Sequence, residues 1–285
     1  NVTYTVDGIP TEVPPSFTDV GQHTVTVTLT PKDPDSSLPT FSKDTTVTIT
    51  ARTVQLLVDS INKTYDGTYS ALTVTLPEGA AANQADADTI LANVTFTEGG
   101  AGIANAFINA GSKTVLAAST CPNYNILPVA TTVQIAARSL TLTAGSATKV
   151  YDEQPVTVTY TVNTATYDGT AVTNATGLLR QHTLSATLLG DTQTEVIDMA
   201  PVTFNTALTQ ITEGGASVLG NYAVTYVPGT ITITRAGALT LNLADYVGVY
   251  DAAAHGVSIT SVMDGARSVE PSLFTWTYGL LADAA

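Results

Sequence analysis

Threonine and valine alternate along much of the chain, and this alternation predicts the fold class. Between His23 and Thr30, the apolar residues Val25, Val27 and Leu29 are separated by threonines. A period of two places the apolar side chains on one face of a pleated strand and the threonines on the opposite, solvated face. The same pattern predicts further strands at 45–50, 54–58, 140–143, 156–162 and 230–234.

Turn signals separate these runs, and helical periodicity is scarce. Asp7-Gly8, Asp66-Gly67 and Pro228-Gly229 are dipeptides that favour turns. A single helix is predicted from about Asp86 to Ala92, with Asp86 or Asp88 as its N-cap. We therefore predict an all-β protein with very little helix.

Three sequence elements recur along the chain. The first two boundary arginines are 86 residues apart, and so are the first two Tyr-Asp pairs. Self-similarity on this scale indicates a tandem array of structural modules. The recurring elements are a boundary arginine (Arg52, Arg138, Arg235), a Tyr-Asp pair (Tyr65-Asp66, Tyr151-Asp152, Tyr250-Asp251) and an Asn-Tyr pair (Asn123-Tyr124, Asn221-Tyr222).

The boundary arginines divide the chain into four parts. Residues 54–138 and 139–235 are predicted to be complete β modules. Residues 1–53 match the C-terminal part of a module, and residues 236–285 match the N-terminal part. Half a module alone would expose open sheet edges and an unfilled core. We therefore expect the two end segments to pair with something, including with each other across neighbouring copies in a fibre.

The repeated motifs resemble those of a known family. The first module carries Lys63-Thr64-Tyr65-Asp66-Gly67-Thr68, then Asn109-Ala110-Gly111, and then Asn123-Tyr124. This order resembles the tandem MBG and YDG modules of large bacterial surface adhesins. The second module departs from the pattern, because Glu153 stands where the family has glycine. The end segments resemble the sister module type, with 250–257 as its head and 17–25 as its tail, and Ala252 again replaces glycine.

The resemblance implies an extracellular, cell-surface or secreted bacterial protein with non-catalytic repeats. It implies tandem β modules of either a β-grasp-like or an immunoglobulin-like, β-sandwich arrangement. Net charge agrees with a surface setting, because 24 acidic residues oppose 10 basic ones and leave a formal charge of −14. Such a chain has little with which to bind nucleic acid or an anionic membrane surface. Its apolar runs are too short for membrane insertion.

No catalytic, cofactor or metal signature is found in the sequence, so we expect no enzyme activity. His23, His182 and His255 occur singly, without acidic or cysteine clusters beside them. The acidic pairs lack the ligand spacing of a calcium loop. A solvated turn for the first pair and a helix cap for the second are the favoured interpretations. These pairs are Asp33 with Asp35 and Asp86 with Asp88.

The Tyr-Asp pair admits two interpretations. The tyrosine could stack on a sugar while the aspartate accepts its hydroxyls. Alternatively, the aspartate accepts backbone amides, glycine supplies a positive φ and the tyrosine packs inward. We favour the turn, and we favour a structural role for Asn-Tyr as well.

Covalent chemistry is considered at two kinds of position. A Lys–Asn isopeptide bond would join Lys63 or Lys149 to Asn123 or Asn221, but it needs a buried acid that the sequence does not place there. Turn lysines are therefore favoured. The glycosylation sequons at Asn62, Asn93 and Asn174 are interpreted as accidental matches.

The leading functional interpretation is a structural or adhesive spacer on a bacterial surface, which also self-associates through its end segments or neighbouring modules. The first alternative is a module that binds glycan or mucin on a host surface. The second alternative is an accessory segment of a secreted enzyme. Exposure of the aromatic ring in the Tyr-Asp pairs distinguishes the first alternative from the spacer.

Overall fold

The computed structural model describes residues 1–235, 237–264 and 267–277, which form two compact units. Unit 1 contains Asn1–Arg138 and two later segments, Gly169–Ala175 and Gly220–Ala223. Unit 2 contains Ser139–Asp168, Thr176–Leu219 and the described residues from Val224 onward. The division into four modules stays a prediction, and its last part, 236–285, lies partly outside the described residues.

Unit 1 contains four sheets. Its strands are β1 (Val2–Val6), β2 (Ile9–Thr11), β3 (Gly21–Leu29), β4 (Phe41–Ile49), β5 (Arg52–Gln55), β6 (Leu57–Val58), β7 (Ile61–Thr64), β8 (Val74–Thr75), β9 (Thr95–Glu98), β10 (Ala101–Ile103), β11 (Gly111–Ala118), β12 (Tyr124–Leu127) and β13 (Val129–Ala136). The two larger sheets have the orders β2-β1-β3-β4 and β10-β9-β11-β13-β7. The two smaller sheets pair β12 with β5 and β6 with β8.

The remaining strands belong mostly to unit 2. They are β14 (Arg138–Ala144), β15 (Ala147–Val150), β16 (Val156–Thr157), β17 (Tyr160–Val162), β18 (Tyr167–Asp168), β19 (Ala171–Val172), β20 (Thr183–Ser185), β21 (Leu188–Leu189), β22 (Thr192–Gln193), β23 (Ile197–Phe204), β24 (Gln210–Glu213), β25 (Ala216–Ser217), β26 (Tyr222–Val227), β27 (Gly229–Thr234), β28 (Thr240–Ala244), β29 (Ser258–Asp264) and β30 (Arg267–Val269). The larger sheets of unit 2 have the orders β15-β27-β23-β21, β17-β14-β26, β20-β24-β25 and β28-β29-β30. Short 3₁₀ turns cover Thr206–Leu208, Leu219–Asn221 and Pro271–Leu273.

The predicted all-β class with very little helix is confirmed, and two predicted strands are divided. Segment 54–58 is broken because β5 pairs with β12 whereas β6 pairs with β8. Segment 156–162 is broken because β16 pairs with β22 whereas β17 pairs with β14. Alternating residues predict extended backbone, but they do not reveal which sheet each half will join. No helix in the described part of the chain has the length and apolar character needed to cross a membrane.

The predicted helix is present as α1 (Gln84–Ala92), but its predicted N-cap is wrong. Asn83, not Asp86 or Asp88, is the N-cap, and its Oδ1 accepts a hydrogen bond from the Asp86 backbone N–H at 2.9 Å. Asp86 instead accepts the hydroxyl of Tyr124 at 2.7 Å, a contact between distant parts of the sequence. Asn83 caps well because its extended backbone leaves the side chain free to reach the first helical turn.

The two predicted complete modules share one sheet plan. Strand β13 pairs antiparallel with β11 and parallel with β7, where Ile135 lies opposite Lys63. Strand β27 pairs antiparallel with β23 and parallel with β15, where Ile233 lies opposite Lys149. In both sheets the strand that leads into the Tyr-Asp pair therefore runs parallel to the last strand of its module.

Each unit has its own buried core. In unit 1, Leu56, Ile90 and Ala117 are fully buried and contact partly buried side chains such as Val74 and Phe96. In unit 2 the fully buried apolar side chains include Leu140, Leu142, Leu179, Val202, Ile211 and Ile231. Alternation along the strands supplies these cores, because every second side chain faces inward.

Candidate functional site

The first Tyr-Asp pair forms a tightly bonded turn. Asp66 Oδ1 accepts hydrogen bonds from the Thr68 backbone N–H at 2.9 Å, the Thr68 hydroxyl at 2.7 Å and the Lys63 ammonium at 2.8 Å. Gly67 has a φ of 77°, which glycine adopts without steric cost. Burial alone would raise the pKa of Asp66, but the hydrogen bonds from Lys63 and Thr68 outweigh it and hold that pKa below its usual value.

The same turn is built twice more without glycine. Asp152 accepts the Gln154 N–H at 3.0 Å and pairs with Lys149 at 2.6 Å, and these contacts lower its pKa, with the lysine making the larger contribution. Glu153 follows it with a φ of 65°. In the third turn the aspartate accepts an N–H two residues later, as before, and Ala252 has a φ of 60°. The turn interpretation therefore describes all three Tyr-Asp pairs.

The tyrosines of these pairs differ in exposure. Tyr65 is only 1% exposed, and its ring meets that of Tyr222 edge to face with centroids 5.9 Å apart. Tyr151 is half-buried, whereas Tyr250 is 92% exposed. A ring as buried as that of Tyr65 has no free face for a sugar, so sugar stacking is not possible at the first pair.

Each Asn-Tyr pair provides an asparagine that binds a distant turn. Asn123 Oδ1 accepts the Val20 N–H at 2.7 Å, and its amide donates to Asp19 Oδ1 at 2.9 Å. The backbone of Asn123 has a φ of 69°, a conformation that asparagine tolerates better than most residues. The two contacted residues come directly before Gly21, where β3 begins.

Asn221 repeats this arrangement within unit 1. Its Oδ1 accepts the Ala110 N–H at 2.7 Å, and its amide donates to Asn109 Oδ1 at 3.2 Å. Again the contacted residues come directly before the glycine that begins a strand, here Gly111 of β11. We call each of these two-bond contacts an asparagine clamp. Each clamp joins segments that the sequence assigns to successive modules.

Arg138 is the boundary arginine that is buried most deeply. It is 1% exposed, and its guanidinium donates to the Asn174 carbonyl at 2.8 Å and to Asn174 Oδ1 at 2.7 Å. A longer bond of 3.4 Å reaches the Tyr65 carbonyl. Arg52 is exposed and also donates to a backbone carbonyl, that of Gly79, at 2.6 Å. A planar guanidinium suits such paired acceptors.

The lysines and asparagines considered for an isopeptide bond have different partners. Lys63 contacts Asp66 and Thr68, and Lys149 contacts its own turn. Asn123 and Asn221 are engaged in the asparagine clamps. Hydrogen bonding therefore does not bring either lysine to either asparagine.

Each histidine lies close to a carboxylate. His23 is 3.2 Å from Asp7, and the Nε2 of His255 is 2.8 Å from Asp251 Oδ1. The third pair joins His182 to Glu213 at 3.4 Å. Burial lowers the pKa of His182 below its usual value, although the neighbouring carboxylate acts in the opposite direction. These pairs are too distant in sequence or too weakly patterned to be predicted.

The acidic residues considered for calcium accept hydrogen bonds from other protein groups. Asp33 accepts the Asp35 backbone N–H at 3.0 Å, which forms a turn. Asp88 accepts the Gln84 amide along α1 at 2.7 Å, and Asp86 accepts the Tyr124 hydroxyl. Among residues 1–235, 237–264 and 267–277, no three His, Cys, Asp or Glu side chains come together as metal ligands would.

A cavity of about 500 Å³ lies beside Tyr151 in unit 2. Its lining combines apolar side chains with both basic and acidic ones, and Arg267 pairs with Glu153 at 3.0 Å. The other lining residues include Arg235, Leu239, Asp264 and Phe274. The sequence motifs include Tyr151, Glu153 and Arg235, but they do not include Arg267 or Phe274.

Comparisons with known proteins give no family. No protein-family model and no curated protein matches the chain. Among solved structures, the alignment with the titin I9–I11 tandem covers 65% of this chain and 67% of the titin chain, at 10% identity and a TM-score of 0.26. The surface glycan-binding protein SGBP-B from the Bacteroides ovatus mixed-linkage glucan utilization locus, solved with a heptasaccharide, covers 84% of this chain at 12% identity and a TM-score of 0.17. This chain spans 61% of that protein.

A third structure holds three N-terminal domains of the outer capsid protein Hoc from bacteriophage RB49. The alignment covers 82% of this chain and 89% of the Hoc chain, at 14% identity and a TM-score of 0.23. At such scores these likenesses do not bear on the function of this chain. The all-β description rests on its own strands and sheets, and the likeness to MBG and YDG modules stays a prediction.

Proposed function

We propose that this chain is a non-catalytic structural repeat segment of a bacterial extracellular surface protein or fibre, and that it acts as a stiff spacer. The observation that carries the proposal is the asparagine clamp, which occurs twice with the same donor and acceptor pattern. A clamp ties a module's Asn-Tyr pair to the strand-leading turn of the module before it. Two such bonds restrict rotation at the junction.

Short connections between strands support the same role. Only Thr50 and Ala51 separate β4 from β5, and only Ala137 separates β13 from β14. Connections of one or two residues leave little freedom for bending compared with a flexible linker. The buried Tyr65 and Arg138 add packing near the second clamp. The resemblance to adhesin modules supports the extracellular location and the lack of catalysis.

The spacer proposal is tested by measuring stiffness at the first clamp. Spin labels at Thr46 and Leu116, both exposed, would be introduced in a Cys121→Ser background. We expect one narrow distance distribution for the parent chain and a broader one for Asn123→Ala, measured by pulsed electron paramagnetic resonance at low protein concentration. Loss of the two clamp bonds should cost about 1–2 kcal/mol.

Asn93→Ala is the matched control. The Asn93 side chain donates to the Thr120 carbonyl at 2.9 Å. The alanine variant therefore also loses a side-chain hydrogen bond, but this bond lies within a single module. Its distance distribution should equal that of the parent chain. A broad, multimodal distribution in the parent chain would show that the junction is flexible and would refute the spacer.

Glycan binding is the second candidate function, and the cavity beside Tyr151 is the observation that favours it. A concave pocket with aromatic and apolar walls and a few polar groups is the usual composition of a small-molecule site, and a tyrosine ring can pack against a sugar. On this candidate, an array of neutral and host-type glycans should show binding that Tyr151→Ala abolishes, while Tyr69→Ala, at an exposed tyrosine that does not line the cavity, leaves it unchanged. An array with no bound glycan would exclude this function.

A further inference from the structure

An open sheet edge at β4 matches a segment that lies outside every described strand, residues 246–250. Strand β4 lies at the edge of its sheet, and its outer side has no strand partner among the described residues. Residues 246–250 lie outside every described strand and lead into the third Tyr-Asp pair. Their apolar side chains are exposed, with Val247 at 96%, Val249 at 89% and Tyr250 at 92%.

The sheet plan shared by the two complete modules predicts what each feature lacks. In both modules the segment before Tyr-Asp pairs in parallel with the module's last strand, as β7 does with β13 and β15 with β27. Strand β4 matches β13, because Gly21 lies opposite Ile49 just as Gly111 lies opposite Ile135. Residues 246–249 match β7 by their distance from the Tyr-Asp pair. Among the described residues, the edge of β4 therefore has no parallel strand beside it, and residues 246–249 have no strand to pair with, unlike their counterparts in the two complete modules.

The register follows from the same comparison. Asn62 lies opposite Gln134 and Thr64 lies opposite Ala136 in the complete first module. Counting from the tyrosine of each pair and from Ile49, the corresponding positions place Val247 opposite Thr48 and Val249 opposite Thr50.

Burial points the same way. Tyr65 is buried beside its parallel pair, and its backbone N–H donates to the Ala136 carbonyl at 2.9 Å. Tyr250, its counterpart, is exposed. The inward side chains also differ: Leu140 and Leu142 of β14 are fully buried, whereas the matching Leu239 and Leu241 are about half exposed.

The first sheet shows the complementary deficit. Val27, Leu29 and Phe41 line an apolar cavity of about 240 Å³ that is open to solvent. In the complete first module Ala117, the counterpart of Val27, is fully buried. Both surfaces expose apolar side chains, and apolar surface of this kind favours association.

We propose that residues 246–249 of one copy of this chain pair in parallel with β4 of a second copy, so that the two end segments complete a shared module. The proposal rests on the spacer function and specifies how such spacers join. The partner is a second copy, because the missing strand, its direction and its register are those of this chain's own modules. Strand addition to an open edge supplies main-chain hydrogen bonds, and the alternate side chains fix the register.

A disulfide trap tests the register directly. Thr48→Cys and Val247→Cys would be combined in a Cys121→Ser background of the full chain, and the product of mild oxidation resolved by non-reducing electrophoresis. We expect a ladder of multimers, because residues opposite each other on neighbouring strands meet the geometry of a disulfide. In an equimolar mixture of the two single-cysteine chains, cross-linked dimers should contain one chain of each kind.

Thr46→Cys with Val247→Cys is the matched control. In this control the cysteine on β4 is moved by two residues along the same face, about 7 Å from position 48. The control chain should form at least about tenfold less cross-linked product, because the two sulfur atoms are then too far apart. Equal cross-linking of both pairs, a purely intramolecular cross-link, or no ladder at any protein concentration would each overturn the proposal.

A second variant measures the association without a cross-link. Tyr250→Asp places a charge on the side chain whose counterpart, Tyr65, is buried beside the parallel pair, and it should weaken self-association by more than about tenfold in sedimentation experiments. Its circular dichroism should be unchanged, because Tyr250 is exposed in the single chain. A narrow distance distribution at the first clamp with no ladder would refute this pairing alone, whereas a broad one would refute the spacer.

Discussion

Replacing Tyr65 with alanine is expected to lower the free energy of unfolding of unit 1 by about 3–5 kcal/mol. The ring is buried, and it contacts the ring of Tyr222 edge to face. Alanine would leave a cavity and remove that contact. Chemical denaturation followed by circular dichroism would measure the change as a shifted midpoint with an unchanged slope.

Two variants control this result. Tyr250→Ala alters the matching tyrosine of the third pair, which is exposed, and should change the stability of the single chain by less than about 0.5 kcal/mol. Tyr65→Phe keeps the ring and should retain most of the stability. Equal losses at Tyr65 and Tyr250 would contradict the assignment of Tyr65 to the core of unit 1.

Arg138→Ala is expected to destabilise unit 1 by about 2–4 kcal/mol. The substitution removes a buried side chain and takes the guanidinium donor away from two acceptors of Asn174, its carbonyl and its Oδ1. Partly buried acceptors that lose this donor add to the cost of the cavity. Thermal and chemical denaturation of the full chain would both report it.

Arg52→Ala and Arg138→Lys separate burial from charge. Arg52 makes one bond to a carbonyl from the surface, so its loss should cost less than about 1 kcal/mol. Lysine keeps the charge at position 138 but cannot donate to both Asn174 acceptors in one plane, so Arg138→Lys should lose part of the stability. Full stability in Arg138→Lys would show that charge alone matters there.

The sequence predicted several strands well, because strands depend on local alternation. Thr-Val alternation located β3, β4 and β27. The role of the Tyr-Asp turn also followed from residue chemistry. Aspartate bonding to an N–H two residues later is a local preference that needs no knowledge of the rest of the fold.

The clamps and the buried arginine could not be predicted in the same way. Asn123 contacts a residue 104 positions away, and Asn221 contacts one 112 positions away. Both partners belong to recurring sequence motifs, but no local sequence pattern links an Asn-Tyr pair to a turn in the previous module. Arg138 served only as a boundary mark, because its burial depends on Asn174 in a later loop. The sequence does contain one signal for the clamps: an Asp-x-Gly or Asn-x-Gly triplet, at 19–21 and 109–111, precedes each Asn-Tyr pair.

The three Tyr-Asp turns keep one backbone path while the residue after aspartate changes from Gly67 to Glu153 to Ala252, each with a positive φ. The hydrogen bond from the backbone amide to the aspartate therefore holds the conformation, and the residue after the aspartate is free to vary. A search for related modules that required glycine there would miss two of these three. For protein engineers, the same position is a place to display a new side chain or a short epitope at regular intervals along the array.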